Sequence, residues 1–317
     1  MNLAPIVLFV YNRPWHTQQA LESLIKNDLA ADSVLYIFAD GPNENILDEK
    51  INETRKFIKS RQWCKEVIII EKEKNYGLAE SVISGVTKVL NEYGKIIVLE
   101  DDIIVSPYFL QYMNDGLNVY ENEPKVISIH GYNYPVDSTG LPDTFFMKGA
   151  DCWGWATWRD RWELLEKDAE KLWREIVSRN LQGEFDIQSS HPYTKMLKDQ
   201  ADNKIDSWAI RWYASAFLNN KYTLYPKESI VFNIGFDSSG THKASTDHFN
   251  NKNWNNKKPV KIEPQKIATN PVALKRWKDY LTDLNNGKKA KRNLLTRYHS
   301  RARKIYAKIK GEIKPLK

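Results

Sequence analysis

Short apolar runs rich in β-branched residues recur through the first hundred positions, separated by longer mixed segments, and this alternation restricts the chain more than any other feature. It is the sequence form of βαβ units building a mostly parallel sheet. The spacing predicts strands at Ile6–Tyr11, Val34–Ala39, Glu66–Glu71 and Lys95–Glu100, with helices near Pro14–Asn27, Leu47–Ser60 and Leu78–Tyr93. Pro14 suits the first turn of a helix, and Gly77 and Gly94 bracket the third helix. After position 100 the pattern becomes α+β. A helix from Pro107 to Tyr120, strands at Val126–Gly131 and Phe145–Lys148, helices over Trp158–Val177 and Ser207–Asn219, and an extended piece over Lys221–Asn233 are expected.

The apolar run Ile96-Ile97-Val98-Leu99 leads directly into Glu100-Asp101-Asp102. In parallel α/β sheets ligands bind beyond the carboxyl ends of strands, so three acids there stand where ligands stand. Clustered carboxylates repel one another, and a divalent cation bridging to phosphate oxygens relieves that repulsion. An acidic cluster at a helix start is the plainer alternative. Tyr11-Asn12-Arg13 and Asp40-Gly41-Pro42 follow the first two strands and fall on the same edge. Arg13 can offset phosphate charge, Asp40 can accept from a base imide N–H, and Gly77 can let backbone approach a ligand.

Composition narrows the class. An aromatic share of 12%, including 11 Trp, allows both a large core and an aromatic cleft. Two distant cysteines, Cys64 and Cys152, suggest neither a disulfide framework nor a zinc site and point to a reducing compartment. The apolar stretch Ile6–Val10 is too short for a signal or membrane segment. Of the net +7, residues 288–317 carry +11, leaving a mildly acidic body. In that tail Leu294, Tyr298, Ala302, Ile305, Ile309 and Ile313 step by three and four with Lys and Arg between them, the pattern of a basic amphipathic helix suited to an anionic membrane surface. No nucleic-acid reading module accompanies it, so nucleic acid is not an expected partner.

The stretch Asn75-Tyr76-Gly77-Leu78-Ala79, Ser81, Gly85, Tyr93-Gly94-Lys95 and Leu99-Glu100-Asp101-Asp102 resembles the approach to the metal-binding motif of GT-A glycosyltransferases, and its Glu-Asp-Asp form is similar to that of N-acetylglucosaminyltransferase I. The resemblance implies an α/β, Rossmann-like GT-A mixed sheet flanked by helices over residues 1–250, with 251–317 as a linker and basic helical tail. It implies Mn2+ or Mg2+ at Asp102, Glu100 and Asp101 toward the nucleoside, and a nucleotide-sugar donor, UDP-sugar favoured. The acceptor is a glycan or lipid-linked glycan, and the setting is cytoplasmic, with peripheral attachment to the inner face of the membrane. Asp151-Cys152-Trp153-Gly154-Trp155 is similar to a Gly-Trp loop that follows the metal motif in such enzymes; Trp153, Gly154 and Trp155 then serve the acceptor or donor sugar, although Trp is also a core residue. An inverting transferase needs a carboxylate base. Asp206 in Asp206-Ser207-Trp208 is the first candidate, though it also suits a helix N-cap, and Asp151 is the second. Asn233–His242 is similar to loops that fold over the donor in such enzymes, and the resemblance implies His242 near the metal. Two other classes stay open: a non-catalytic glycan-binding protein on the same fold, and a sugar-phosphate nucleotidyltransferase, although Ala4–Pro14 lacks the glycine-rich phosphate loop of the latter.

Overall fold

A computed structural model describes residues 3–43, 49–237, 248–249, 254–255 and 257–287. In chain order the elements are β1 (Ile6–Val10), α1 (Pro14–Leu24), β2 (Val34–Ala39), α2 (Glu49–Ile58), β3 (Glu66–Glu71), α3 (Leu78–Tyr93), β4 (Lys95–Glu100), β5 (Ile103–Val105) and α4 (Phe109–Val119). There follow β6 (Val126–His130), β7 (Thr144–Lys148), β8 (Trp155–Trp158), α5 (Arg159–Trp162), α6 (Ala169–Ser178), α7 (Gln182–Phe185), α8 (Tyr193–Ala201), α9 (Trp208–Leu218), β9 (Tyr222–Pro226) and β10 (Val231–Asn233). Residues 271–287 form a further helix, α10.

The main sheet is mixed, in the order β3-β2-β1-β4-β8-β6-β9-β7. Its first four strands are parallel, and β8 enters antiparallel to both β4 and β6. The chain runs outward from β1 through β2 to β3, then returns to place β4 on the other side of β1. That reversal makes the β1/β4 edge a topological switch point.

Both faces of β1, β2 and β4 are covered, which is why these strands read as unbroken apolar runs. On one face Ile6, Leu8, Val10, Leu35, Ile37, Ile97 and Leu99 meet Leu21 and Leu24 of α1 and Phe109, Met113 and Leu117 of α4. On the other, Val7, Phe9, Tyr36, Phe38, Ile96 and Val98 meet Val82, Val86 and Leu90 of α3 and Trp208 and Trp212 of α9. Helix ends follow local chemistry: α3 stops at Gly94, whose φ of 78° is left-handed and whose N–H returns to the Leu90 carbonyl.

The region expected to be helical from Trp158 to Val177 holds two helices, α5 and α6, with a break between them, and Trp158 itself ends a strand. Trp155–Trp158 is a central strand with every residue buried. Without the two-residue alternation of a half-exposed strand, its periodicity is indistinguishable from a buried helix. Helix α6 starts only at Ala169, where the Asp168 carboxylate accepts from the Lys171 amide at 3.1 Å.

Of the described residues beyond 250, several pack on the body. Gln265 donates to the Thr144 carbonyl, Asn270 N–H donates to the Phe146 carbonyl, and Ala273, Trp277 and Leu281 of α10 are buried against Tyr134, Phe145 and Tyr225. The basic tail lies outside the described residues. Among the described residues no helix is long and apolar enough to cross a membrane.

Candidate active site

The carboxyl ends of β1, β2 and β4 deliver the expected residues to one edge. Arg13, at the start of α1, reaches across the switch point and places Nη1 2.8 Å from Asp102 Oδ2 and 3.4 Å from Asp101 Oδ1. Burial, then the charge of Asp102, raises the Asp101 pKa; Arg13 and the backbone N–H of Tyr11 act in the opposite sense. Glu100 is raised for the same reason, burial first and then the charges of Asp102 and Asp101, while Arg13 and a hydrogen bond from the Trp208 indole hold it back. The trio is therefore a crowded, partly desolvated anionic cluster with one guanidinium against it. Asn12 lies partly exposed beside Arg13.

A second layer closes over these acids. Strand β5 begins immediately after Asp102 and pairs antiparallel with β10, so the Ile234 N–H donates to the Asp102 carbonyl at 2.9 Å. That pairing lays Gly235 against the carboxylate: a Cβ there would stand 2.0 Å from Asp102 Oδ2. Two positions on, the Asp237 carboxylate lies 3.9 Å from Arg13 Nη2 and 3.1 Å from Nε2 of His16, one turn along α1. His16 is buried and its pKa is lowered, by burial first and then by Arg13. Neither His16, Gly235 nor Asp237 was singled out in the sequence; the glycine-bracketed stretch Asn233–His242 was the available signal, and the β5–β10 pairing that gives it a target is non-local.

Asp40 directs its carboxylate at the protein itself. It is 7% exposed, and Oδ1 accepts from the amides of Gly41 (2.9 Å) and Tyr76 (3.0 Å) while Oδ2 accepts from Gly77 (3.1 Å) and Tyr76 (3.3 Å). These contacts occupy the positions with which it was expected to meet a base. Asp40 instead fixes the turn into α3, where Gly77 has φ 81°.

Ser207, not Asp206, caps α9, accepting from the Ile210 amide. Asp206 is left exposed with Arg211 Nη2 at 3.5 Å, and its Oδ2 would lie 3.8 Å from a Cβ on Gly77. Asp151 is partly exposed and accepts from the Cys152 amide. Trp153 is partly exposed. Trp155 is not: it is fully buried among Trp162, Trp208 and Trp212 at centroid separations of 5.5–5.9 Å, so it supports α9 and no sugar ring reaches it. The space above Gly154 is likewise filled, by Val231 and Phe109. His242 lies outside the described residues.

No family model matches this sequence. No curated protein matches it either. Among solved structures, the crystal structure of S. aureus TarS aligns with a TM-score of 0.39 at 14% identity, and that of S. aureus TarS 1-349 with 0.38 at 13%. The alignments cover 73% of this chain in each case, and 36% and 60% of those proteins, so the chain spans less than two thirds of either.

Proposed function

We propose that this chain transfers a sugar from a nucleoside-diphosphate sugar, UDP-sugar favoured, to a hydroxyl of a glycan or lipid-linked glycan with inversion at C1, in surface polysaccharide or glycoconjugate synthesis. The observation that carries the reading is the convergence of Glu100, Asp101, Asp102 and Arg13 at the switch point of a parallel sheet.

Mn2+ or Mg2+ suits the hard oxygens of this cluster, and a cation there would offset the burial, and after it the mutual repulsion, that raise Glu100 and Asp101. Among the described residues no three His, Cys, Asp or Glu side chains group as a metal cage. The fit is therefore to a site with Asp102 as its protein ligand, the remaining ligands coming from diphosphate and water. A bound cation would supply positive charge against the departing diphosphate. Arg13, paired with Asp102, is the side chain to turn toward phosphate when that charge arrives.

In the transfer the acceptor oxygen forms a bond to C1 as the bond from C1 to the diphosphate oxygen breaks. The hydroxyl proton passes to a carboxylate, Asp151 or Asp206, and the nucleoside diphosphate leaves with the electron pair. Glu100 and Asp101 face the nucleoside. The basic tail places the enzyme on an anionic membrane surface, at the cytoplasmic face.

The experiment is donor turnover with a panel of nucleotide sugars, with Mn2+ and with EDTA. Metal-dependent release of nucleoside diphosphate, abolished in Asp102→Ala with the fold intact, is expected. Full activity in that variant would remove the assignment, and binding without turnover would leave a glycan-binding protein on this fold.

A further inference from the structure

Helix α1 begins without the devices that usually satisfy a helix start. Pro14 at its first position brings no N–H, no side chain caps it, and its first turn holds no acid. The amides of Trp15 and His16 therefore fall in the turn whose N–H groups lack intrahelical partners, at the positive end of the helix dipole. Two side chains add donors at the same end. Nε and Nη2 of Arg13 and Nε2 of His16 are buried and make no hydrogen bond among the described residues, and the two side chains are only 12% and 7% exposed. Buried donors are ordinarily satisfied, so three facing one place call for a partner.

The group that meets them is Asp237. Its carboxylate lies 3.9 Å from Arg13 Nη2, beyond hydrogen-bonding reach, and 3.1 Å from His16 Nε2 in an approach that leaves Nε2 without a hydrogen bond. Asp237 is 44% exposed, so a half-exposed, loosely paired carboxylate answers donors that are deeply buried. The β5–β10 pairing brings it there: the Ile234 N–H is tied to the Asp102 carbonyl, and Asp237 follows three residues later on the far side of Arg13. One guanidinium thus joins the two places, with Nη1 on Asp102 at 2.8 Å and Nη2 toward Asp237.

This mismatch suits an anion with more oxygens than a carboxylate. A phosphate can accept from Arg13 Nη2, His16 Nε2 and first-turn amides at once, and helix N-termini favour such groups. His16 need not be charged for this, because a neutral ring with its hydrogen on Nε2 still donates. We propose that Arg13 Nη2, His16 Nε2 and the first turn of α1 form a seat for one phosphate of the donor, and that Asp237 is a built-in competitor which that phosphate displaces. The proposal rests on the donor reading above for which phosphate arrives, but the seat is tested with neither sugar nor metal. His16 becomes a donor-binding residue, and the Asp237 carboxylate an autoinhibitory group that weakens binding of the donor and of the diphosphate product alike.

Isothermal titration calorimetry of the full chain in EDTA, with inorganic pyrophosphate as the probe and uridine as the phosphate-free control, reads the seat. Asp237→Asn is expected to bind pyrophosphate about fivefold more tightly than wild type, the factor that loss of a half-exposed ion pair supplies, with uridine unchanged. His16→Ala is expected to bind it about tenfold more weakly, and His16→Gln, which keeps a side-chain N–H donor, to stay within about threefold of wild type. Should His16→Ala fold poorly, the exposed position Asp237 and His16→Gln carry the test. Equal or weaker pyrophosphate binding by Asp237→Asn, wild-type affinity in His16→Ala, or a parallel change in uridine binding would overturn the proposal. If the variants shift pyrophosphate affinity as expected and no nucleotide sugar raises the melting temperature, the phosphate seat stands and the donor reading falls. If nucleotide sugars raise it with Mn2+ while Asp237→Asn and His16→Ala leave pyrophosphate affinity unmoved, the seat falls and the donor reading stands.

Discussion

Asp40→Asn separates a carboxylate that positions a loop from one that only meets a base. The Asp40 carboxylate accepts from three amides through four contacts of 2.9–3.3 Å and is 7% exposed. Asparagine keeps one acceptor oxygen and turns an NH2 toward donors, so the Gly77 bond and one branch to Tyr76 are lost and the rest lose their charge assistance. A hydrogen bond to a charged group contributes about 1.5–3 kcal/mol, and a buried amide left unpaired costs about 1–3 kcal/mol. The two terms overlap, and water reaches the partly exposed Tyr76–Gly77 turn, so we expect a net loss of about 2–4 kcal/mol. At roughly 2–4 °C per kcal/mol for a protein of this size, the melting temperature falls by about 5–10 °C without any ligand present. Differential scanning calorimetry of nucleotide-free wild type and variant reads this directly. A melting temperature within about 1 °C of wild type, with weakened nucleotide binding, would refute the positioning role and return Asp40 to the base.

Gly235→Ala puts a methyl 2.0 Å from Asp102 Oδ2, so donor affinity falls at least tenfold by calorimetric titration, with about 1–3 kcal/mol of lost stability; unchanged affinity would show that the loop does not rest on Asp102 when ligand binds. Trp155→Ala removes the centre of the indole cluster and costs about 3–5 kcal/mol by urea unfolding, and a loss below about 1 kcal/mol would contradict its place in the core. Asp101 is held above the usual carboxylate range, so the unfolded chain releases this proton near pH 4 while the folded chain keeps it to higher pH, and the stability this group contributes declines as pH rises through that interval. Asp101→Asn therefore melts higher than wild type at pH 8 and equally at pH 4 in metal-free buffer; a lower melting point at pH 8 would show that the pair with Arg13 outweighs the repulsion. Burial lowers the His130 pKa, so at pH below about 6.5 the unfolded chain binds a proton the folded chain refuses, and stability falls with pH there. Proton titration of the His130 ring by NMR checks this, and an ordinary midpoint would contradict a neutral imidazole accepting from the Trp153 amide.

The parallel half of the sheet was legible from its apolar runs, buried throughout in β1 and all but throughout in β2 and β4 and only half-buried in the edge strand β3: β2, β3, β4 and α3 have the bounds that those runs and glycine punctuation predicted. The same signal misled at Trp158, which was expected to open a helix and instead ends an antiparallel strand buried throughout, where Trp155 looked like part of a sugar platform. The convergence at the sheet edge was legible in one dimension, since Arg13, Asp40 and Glu100-Asp101-Asp102 each lie at or follow the end of a strand. What each touches was not. Asp40 turns back to the amides of Tyr76 and Gly77, and the approach of Gly235 and Asp237 depends on the pairing of β5 with β10, over a hundred residues apart in the chain. Ser207 illustrates a smaller limit: two adjacent residues both suit an N-cap, and only the backbone geometry shows which one takes it.

The central claim, that Asp102 holds the metal-bound diphosphate of a nucleotide sugar, is tested most directly by thermal shift of wild type and Asp102→Asn with UDP-sugars in Mn2+ and in EDTA. A ligand that binds only the native state raises its melting temperature by mass action, by about 2.7 kcal/mol of stability at a hundredfold excess over Kd. The account predicts a rise of several degrees for wild type with both UDP-sugar and Mn2+ present, and none in EDTA or in the variant. An equal rise in Asp102→Asn, or one indifferent to Mn2+, would contradict it.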